Sequence, residues 1–342
     1  MIKTFPLLFI LLWSSAFISG DIIVQNASPF AALAFRFGIV TIGFFLFALI
    51  KKEIIFTKVR YILESITSGV LFHGLYLGGC WYAFHVGVPA SVVALIVTLQ
   101  PILTNLLSGP IYKEVIGWRQ WVGIIFGFIG SLLVLGVDFG DEFPKDGLVT
   151  CFIALAAITT GTLWQKKLSG NVPLSVNNGF QAFGGCAFNL ILILTFETPY
   201  INFTTGFLLG MTHQIILVSF GAFTILMFLI KAGSVSKTST LFFLVPPTTA
   251  VMAYLFLGEK LSNIDIAGFI LATIGVYIAT RKEVKIFNFI KKFYRPFVLT
   301  YLFFSIGISF YPSFEFYSFK GQLLILTVSI FNGILGVYIK KL

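Results

Sequence analysis

Acidic side chains are few in this sequence, 13 against 23 Lys and Arg in 342 residues, and none lies deep inside an apolar run. Asp21 comes nearest, in the last turn of the first run, and Glu64 just precedes the third. That scarcity argues against a carboxylate relay for protons, and it removes the clustered acids that a membrane enzyme acting on lipid-linked substrates needs. Cysteine is rarer still: Cys80, Cys151 and Cys186 all fall within apolar runs, so there is neither an exported disulfide framework nor a metal-ligand spacing. Charged residues make up only 11%, against 58% hydrophobic residues, 41 Phe and a mean hydropathy of +0.98. Such a chain has too little polar surface to coat a soluble globule. The net charge of +10 raises nucleic acid as a partner, but the basic residues stand at the ends of apolar runs on alternate sides rather than in one patch, which excludes it. No cofactor is expected: GSVSKTS at Gly233 to Ser239 has Ser236 and Lys231 where a phosphate loop requires glycine.

What is present is an internal repeat. Shifting the chain by 145 positions, without a gap, lays Ser91 on Ser236, Leu99 on Leu244, Pro101 on Pro246, Thr104 on Thr249, Glu114 on Glu259, Gly123 on Gly268 and Gly130 on Gly275. Each copy holds an apolar run of about 20 residues, long enough to cross a bilayer, with proline in its middle and a carboxylate just past its end. A proline within a spanning helix frees a backbone carbonyl, which hydrocarbon tolerates only where neighbouring protein or a wet cavity re-satisfies it. Pro101, Pro246 and Pro247 therefore mark the expected helix breaks and the wall of an internal cavity.

Ten runs read as spans: Phe5 to Val24, Phe30 to Ile50, Ile66 to His85, Ala90 to Tyr112, Arg119 to Val137, Leu148 to Lys167, Val176 to Phe196, Thr212 to Lys231, Lys237 to Leu257 and Ile264 to Thr280. The first also has the look of a signal peptide, but keeping it brings every later loop charge into agreement. With the N-terminus inside, 19 of the 23 basic residues fall on the cytoplasmic side; Lys145, Lys260 and Lys320 lie outside and Arg36 lies within a span. Five spans per copy is an odd number, so the second copy enters from the opposite face. The expected fold is an all-α polytopic membrane protein, a ten-helix bundle of two inverted five-helix repeats, residues 1–137 and 138–282. A basic cytoplasmic linker, 283–295, and a hydrophobic extension, 296–342, read as two further spans, follow; the linker attracts anionic lipid. Inverted repeats rock against each other and expose a midplane site to each side in turn, which points to a transporter. The rival readings are the lipid-linked enzyme and a non-transporting scaffold or sensor.

LLWSSAF at Leu11 to Phe17, ASPFAALAFRF at Ala27 to Phe37, Pro101 with Glu114, and Trp164, Gln181, Pro246 and Gly258-Glu259 in the second half together resemble the EamA-like branch of the drug/metabolite transporter superfamily. The resemblance covers Phe5 to Lys282. It implies a ten-helix permease of the bacterial inner membrane that exports or exchanges small metabolites such as amino acids without ATP, with both termini cytoplasmic. Lys113 departs from the family's frequent glycine before the Glu.

Candidate cavity residues are Trp13, Arg36, Tyr76, Gln100, Thr104, Asn105, Trp164, Gln181 and Thr249. Arg36 is the strong charge well inside a span, where a cation faces a cavity or a partner; it either holds a substrate carboxylate or phosphate, or snorkels outward to pair with a loop acid or the carbonyls of a broken helix. Its repeat mate, Gln181, is neutral. His73 is the coupling candidate, having a pKa near physiological pH, with simple helix-to-helix hydrogen bonding as the plainer reading. Gln100, Thr104 and Asn105 flank Pro101, and Thr248 and Thr249 follow Pro247, so they either meet a zwitterion or re-satisfy the broken backbone. The rings of Trp13, Tyr76, Trp81, Tyr82 and Trp164 suit a cavity wall, and Trp81 and Tyr82, near the outer end of their span, suit an interfacial belt somewhat better. Glu114 and Glu259 read as caps of the next helix or loop braces. Partners are a small-molecule substrate and membrane lipids. Gly74 with Gly78 and Gly123 with Gly127 have a close-packing spacing that suits a monomer or a homodimer.

Overall fold

The computed structural model describes residues 4–280, apart from 56–57, 89, 137–142, 169–171 and 258–261. Glu259, the basic linker and the hydrophobic extension lie outside the described residues.

Helices account for nearly all of the described chain. The first is α1 (Phe5–Val24), followed by α2 (Pro29–Ile50). Helix α3 runs through Val59–Gly69, a π-helical stretch Val70–Tyr76, and Leu77–His85. Helix α4 is broken into Ala90–Val97 and Gln100–Tyr112. Then come α5 (Trp118–Leu135), α6 (Lys145–Leu168) and α7 (Leu174–Phe196). Helix α8 (Thr205–Ala232) contains a second π stretch, Gln214–Phe223. Helix α9 is Val235–Thr240, a 3₁₀ turn Leu241–Leu244, and Val245–Leu257; α10 is Asn263–Thr280. Among the described residues, 8 helices are long and apolar enough to cross a membrane. Hydrocarbon offers no partner for backbone polar groups, so a run this apolar closes its own hydrogen bonds as helix.

Polar residues start and stop these helices. Pro29 sits in the first turn of α2, where its missing N–H costs nothing. Thr204 and Ser234 cap α8 and α9 through their hydroxyls, accepting from Phe207 and Lys237 N–H. Gly136 ends α5 in the left-handed conformation, φ +53°.

The two π stretches coincide under the 145-residue shift, 70–76 falling on 215–221. Two pairs of helices that correspond under the same shift pack against each other and run antiparallel. In α2 and α7, Gly38 meets Cys186 while Phe45 meets Gly179. In α5 and α10, Gly123 meets Gly275 and Ala279 while Gly130 meets Gly268 and Ala272, backbone against backbone. Small residues let helices touch where lipid supplies no hydrophobic drive between them. The Gly123 spacing is thus used inside this chain.

One end of the bundle collects basic side chains. Lys167 pairs with Glu64 at 3.4 Å, Lys166 donates to the last carbonyls of α8, Ile230 and Gly233, and Ser175 bonds Glu53. At the opposite end Glu197 accepts from the N–H groups of Phe30 (2.8 Å) and Ala31 (2.9 Å), fastening the end of α7 to the start of α2.

Gly123→Ala is expected to lower the melting temperature of the detergent-solubilised protein, since a new Cβ collides with backbone of α10; overpacking of this kind costs about 1–3 kcal/mol. Gly117→Ala is the control, with nothing within 4 Å of its added Cβ and φ −73°, and should melt like the parent.

Candidate functional site

Arg36 stands seven residues after Pro29 in α2, about 10 Å along the axis. It is 4% exposed. Its Nε donates to Ser219 Oγ on the π stretch of α8 at 3.0 Å, and its guanidinium carbon lies 5.0 Å from the centre of the Phe37 ring. The snorkelling alternative is therefore set aside: the head group is inside the protein. The same Phe37 ring carries His73 of the α3 π stretch on its face, centroids 4.2 Å apart, and Phe223 closes the other side of the histidine at 4.6 Å. Tyr76, one turn further along α3, is also buried.

Nearby in the same group of helices, α1 and α8 share a polar seam. His213 bonds Ser15 (3.1 Å) and Ser19 (2.9 Å) of α1, and Gln214 donates to Ser19 Oγ (3.0 Å) and to the Ala16 carbonyl (2.7 Å). Arg36 acts electrostatically on both His73 and His213. Arg36 is the cation of this group, and no described acid belongs to it. Glu53, Glu64, Glu114, Glu197, Asp146 and Asp265 are bonded at helix ends, to Ser175, Arg60, Ser234, the start of α2, Tyr82 and Ser262 respectively.

Gln181, the repeat mate of Arg36, stands seven residues into α7 from the other end of the bundle, in a ladder of neutral groups. Gln165 of α6 donates to Ser68 Oγ (2.7 Å) and to Gln181 Oε1; Ser68 also donates to Gln181, and Ser65 to Asn177 (2.8 Å). Helices α3, α6 and α7 thus join through amides and hydroxyls, whereas α2 brings the Arg36 cation to the Ser219 hydroxyl of α8.

The prolines sit in the first turn of each second half-helix rather than at the break itself. Pro247 has no N–H for the carbonyl of Phe243, and Ser131 Oγ of α5 fills that role at 2.9 Å. Gln100 donates to Thr104 (2.9 Å) and to Thr162 of α6 (3.3 Å); Thr249 donates to the Ser14 carbonyl of α1 (3.3 Å). Trp13 packs its ring against Phe9 and Phe242. Several buried polar atoms have no partner among the described residues: Gln100 Oε1, Trp164 Nε1, Asn178 Oδ1, Gln181 Nε2, Asn189 Oδ1, Gln214 Oε1 and Thr248 Oγ1.

Asn105 belongs elsewhere. With Gln120 of α5 and Ser236 of α9 it forms a tight cluster at the basic end, Gln120 donating to Asn105 Oδ1 at 2.6 Å and Ser236 Oγ doing the same at 2.6 Å. Beside it, the Glu114 carboxylate takes Ser234 Oγ (2.7 Å) and the N–H groups of Val235 (3.1 Å) and Ser236 (3.2 Å). Glu114 therefore caps α9, not the helix that follows it in sequence. A cleft of about 830 Å³ opens against this cluster, lined by Trp118, Arg119 and Lys237 among others, at the helix ends and away from Arg36. Trp81 is a second correction: it is buried, near Gly20 of α1, rather than interfacial, while Tyr82 reaches Asp146 at 3.2 Å. Sequence reasoning passed over Ser219, Gln165, Gln120 and Glu197. The 145-residue shift pointed only to the neighbour of one of them, through Ser236.

Comparison with known proteins adds three results. The model of the EamA-like transporter family matches residues 4–136 and again 146–281. The chain is 25% identical over 224 residues to the uncharacterized transporter YvbV of Bacillus subtilis (65% of this chain, 72% of that one) and 26% identical over 235 residues to protein PecM of Dickeya dadantii (68% and 76%). It is 21% identical over 217 residues to a probable amino-acid metabolite efflux pump of Salmonella typhimurium (57% and 69%). A solved crystal structure superposes with a TM-score of 0.70 at 19% identity, covering 82% of this chain and 96% of its own, so the fold is the same.

Removing the cap tests the cluster at the basic end. Glu114→Ala should destabilise the detergent-solubilised protein by about 0.5–2 kcal/mol, read as a lower melting temperature, and Glu114→Gln, which keeps one acceptor oxygen, by less.

Proposed function

This chain belongs to the EamA-like transporter family, and from that membership we propose a secondary, ATP-independent carrier of small polar or zwitterionic metabolites such as amino acids, working by alternating access as an exporter or exchanger. It is a multi-pass integral membrane protein and a membrane transporter; the family and its transporter relatives favour this over the enzyme and scaffold readings. The finer reading is ours. The amino-acid class follows the printed name of the Salmonella relative.

One observation carries it. Buried polar atoms without a described partner occur on the broken helices α4 and α9 and on α6, α7 and α8. Unsatisfied polar groups are costly inside a protein and more so at membrane depth, where they mark substrate paths. Gln100 on the broken α4 and Thr248 on the broken α9 are the two such groups nearest the prolines. In this reading cargo rests among them and the two halves rock about it. The basic end faces the cytoplasm, as the retention of Lys and Arg there requires, in a bacterial inner membrane.

Counterflow in proteoliposomes is the test. Vesicles holding the purified full chain and loaded with an unlabelled amino acid should take up the labelled form for at least one member of a metabolite panel, and Gln100→Leu should slow that uptake. Folded protein that exchanges no member would remove the reading.

A further inference from the structure

We propose that the cargo of this carrier bears a net negative charge, a carboxylate or phosphate group held by Arg36 with Ser219, and that the site accepts release of one such anion chiefly against another. The inference rests on the transport reading and narrows it from small polar metabolites to small organic anions.

The starting point is charge. Arg36 is buried within the bundle, and its described hydrogen bond is to a neutral hydroxyl, Ser219. A guanidinium has five N–H donors in a planar fork, so one bond to Nε leaves the fork's outer face with its bidentate geometry intact. The six acids whose side chains are described are each bonded elsewhere, at helix ends. The polar groups of α1 and α8 described here, His213, Gln214, Ser15 and Ser19, bring no negative charge. An intramembrane cation is costly, and one with no acid beside it among the described side chains is stabilised by a charge that arrives from outside.

Geometry points the same way. Ser219 lies on the π stretch of α8, and Phe37 with His73 sits against the π stretch of α3, so both faces of the Arg36 environment are built on irregular helical turns, a frequent setting for functional sites. Gln181, in the corresponding place of the other repeat, is buried, accepts from Gln165 and Ser68 at its oxygen and carries no charge. The site is therefore single and basic, not duplicated. Loaded with a monoanion it is electrically balanced; empty, it keeps the charge of Arg36, and a half-turn of the cycle in that state is disfavoured relative to the loaded one. Exchange follows.

The experiment uses the full chain in proteoliposomes, with labelled L-aspartate, L-malate and glycerol 3-phosphate as anions and L-leucine and L-lysine as neutral and cationic controls. At least one anion should enter vesicles preloaded with the same unlabelled anion roughly tenfold faster than empty vesicles, and Arg36→Gln should cut that rate roughly ten- to a hundredfold, the scale of a lost charge-assisted hydrogen bond. Arg36→Lys should keep a measurable part of it. Aspartate and malate against glycerol phosphate separate a carboxylate site from a phosphate site. Exchange of leucine or lysine but of no anion overturns the inference and leaves the carrier reading standing; so does anion exchange that Arg36→Gln leaves untouched. No exchange of any of the five, with no rise in melting temperature, removes the carrier reading as well. If Arg36→Gln fails to fold, the charge ranking of the parent and a severalfold slower anion exchange in Ser219→Ala decide.

Discussion

A hydrocarbon interior gives polar groups nowhere to go, and most features of this molecule follow from that. Backbone N–H and C=O groups close on themselves as helices; where proline opens one such bond, as at Pro247, a hydroxyl from another helix supplies the missing donor to Phe243. Helices that gain little from burying apolar faces against each other in lipid meet instead through glycine, backbone to backbone, between α5 and α10. Polar side chains turn inward and collect in three places: the cationic group around Arg36, the amide ladder around Gln181, and the capped cluster around Glu114.

The first two groups occupy corresponding positions at opposite ends of the bundle, and they differ in kind. Bonds among Gln165, Gln181, Ser68, Asn177 and Ser65 tie three helices through neutral groups, with Gln181 Nε2 left without a described partner. Around Arg36 the hydroxyls and rings are present, but the balancing charge is not among the described residues. A duplicated architecture thus supports unlike chemistry in its two halves.

Much of the fold was legible in the chain itself, because membrane helices announce themselves by length and hydropathy and because the repeat aligns without gaps. Arg36 stood out for a similar reason: a lone cation in an apolar run is visible without a structure. What could not be read was partnership at long range. Glu114 looked like a cap and is one, but for a helix 120 residues further on, and only tertiary packing reveals which. Ser219 lies in an apolar stretch with nothing local to distinguish it, and its role exists only because α8 crosses α2 at that height. Trp81 stayed open because aromatic residues near a span's end suit either the interface or the protein interior, and its burial beside Gly20 of α1 removes the interface.

The carboxylate of Glu197 grips two successive amides at the start of α2 while belonging to the end of α7, and the two helices lie against each other from Gly38 with Cys186 to Phe45 with Gly179. Joined at the tip and along the flank, α2 of the first copy and α7 of the second form a continuous seam between the two halves of the chain, and Arg36 stands on it.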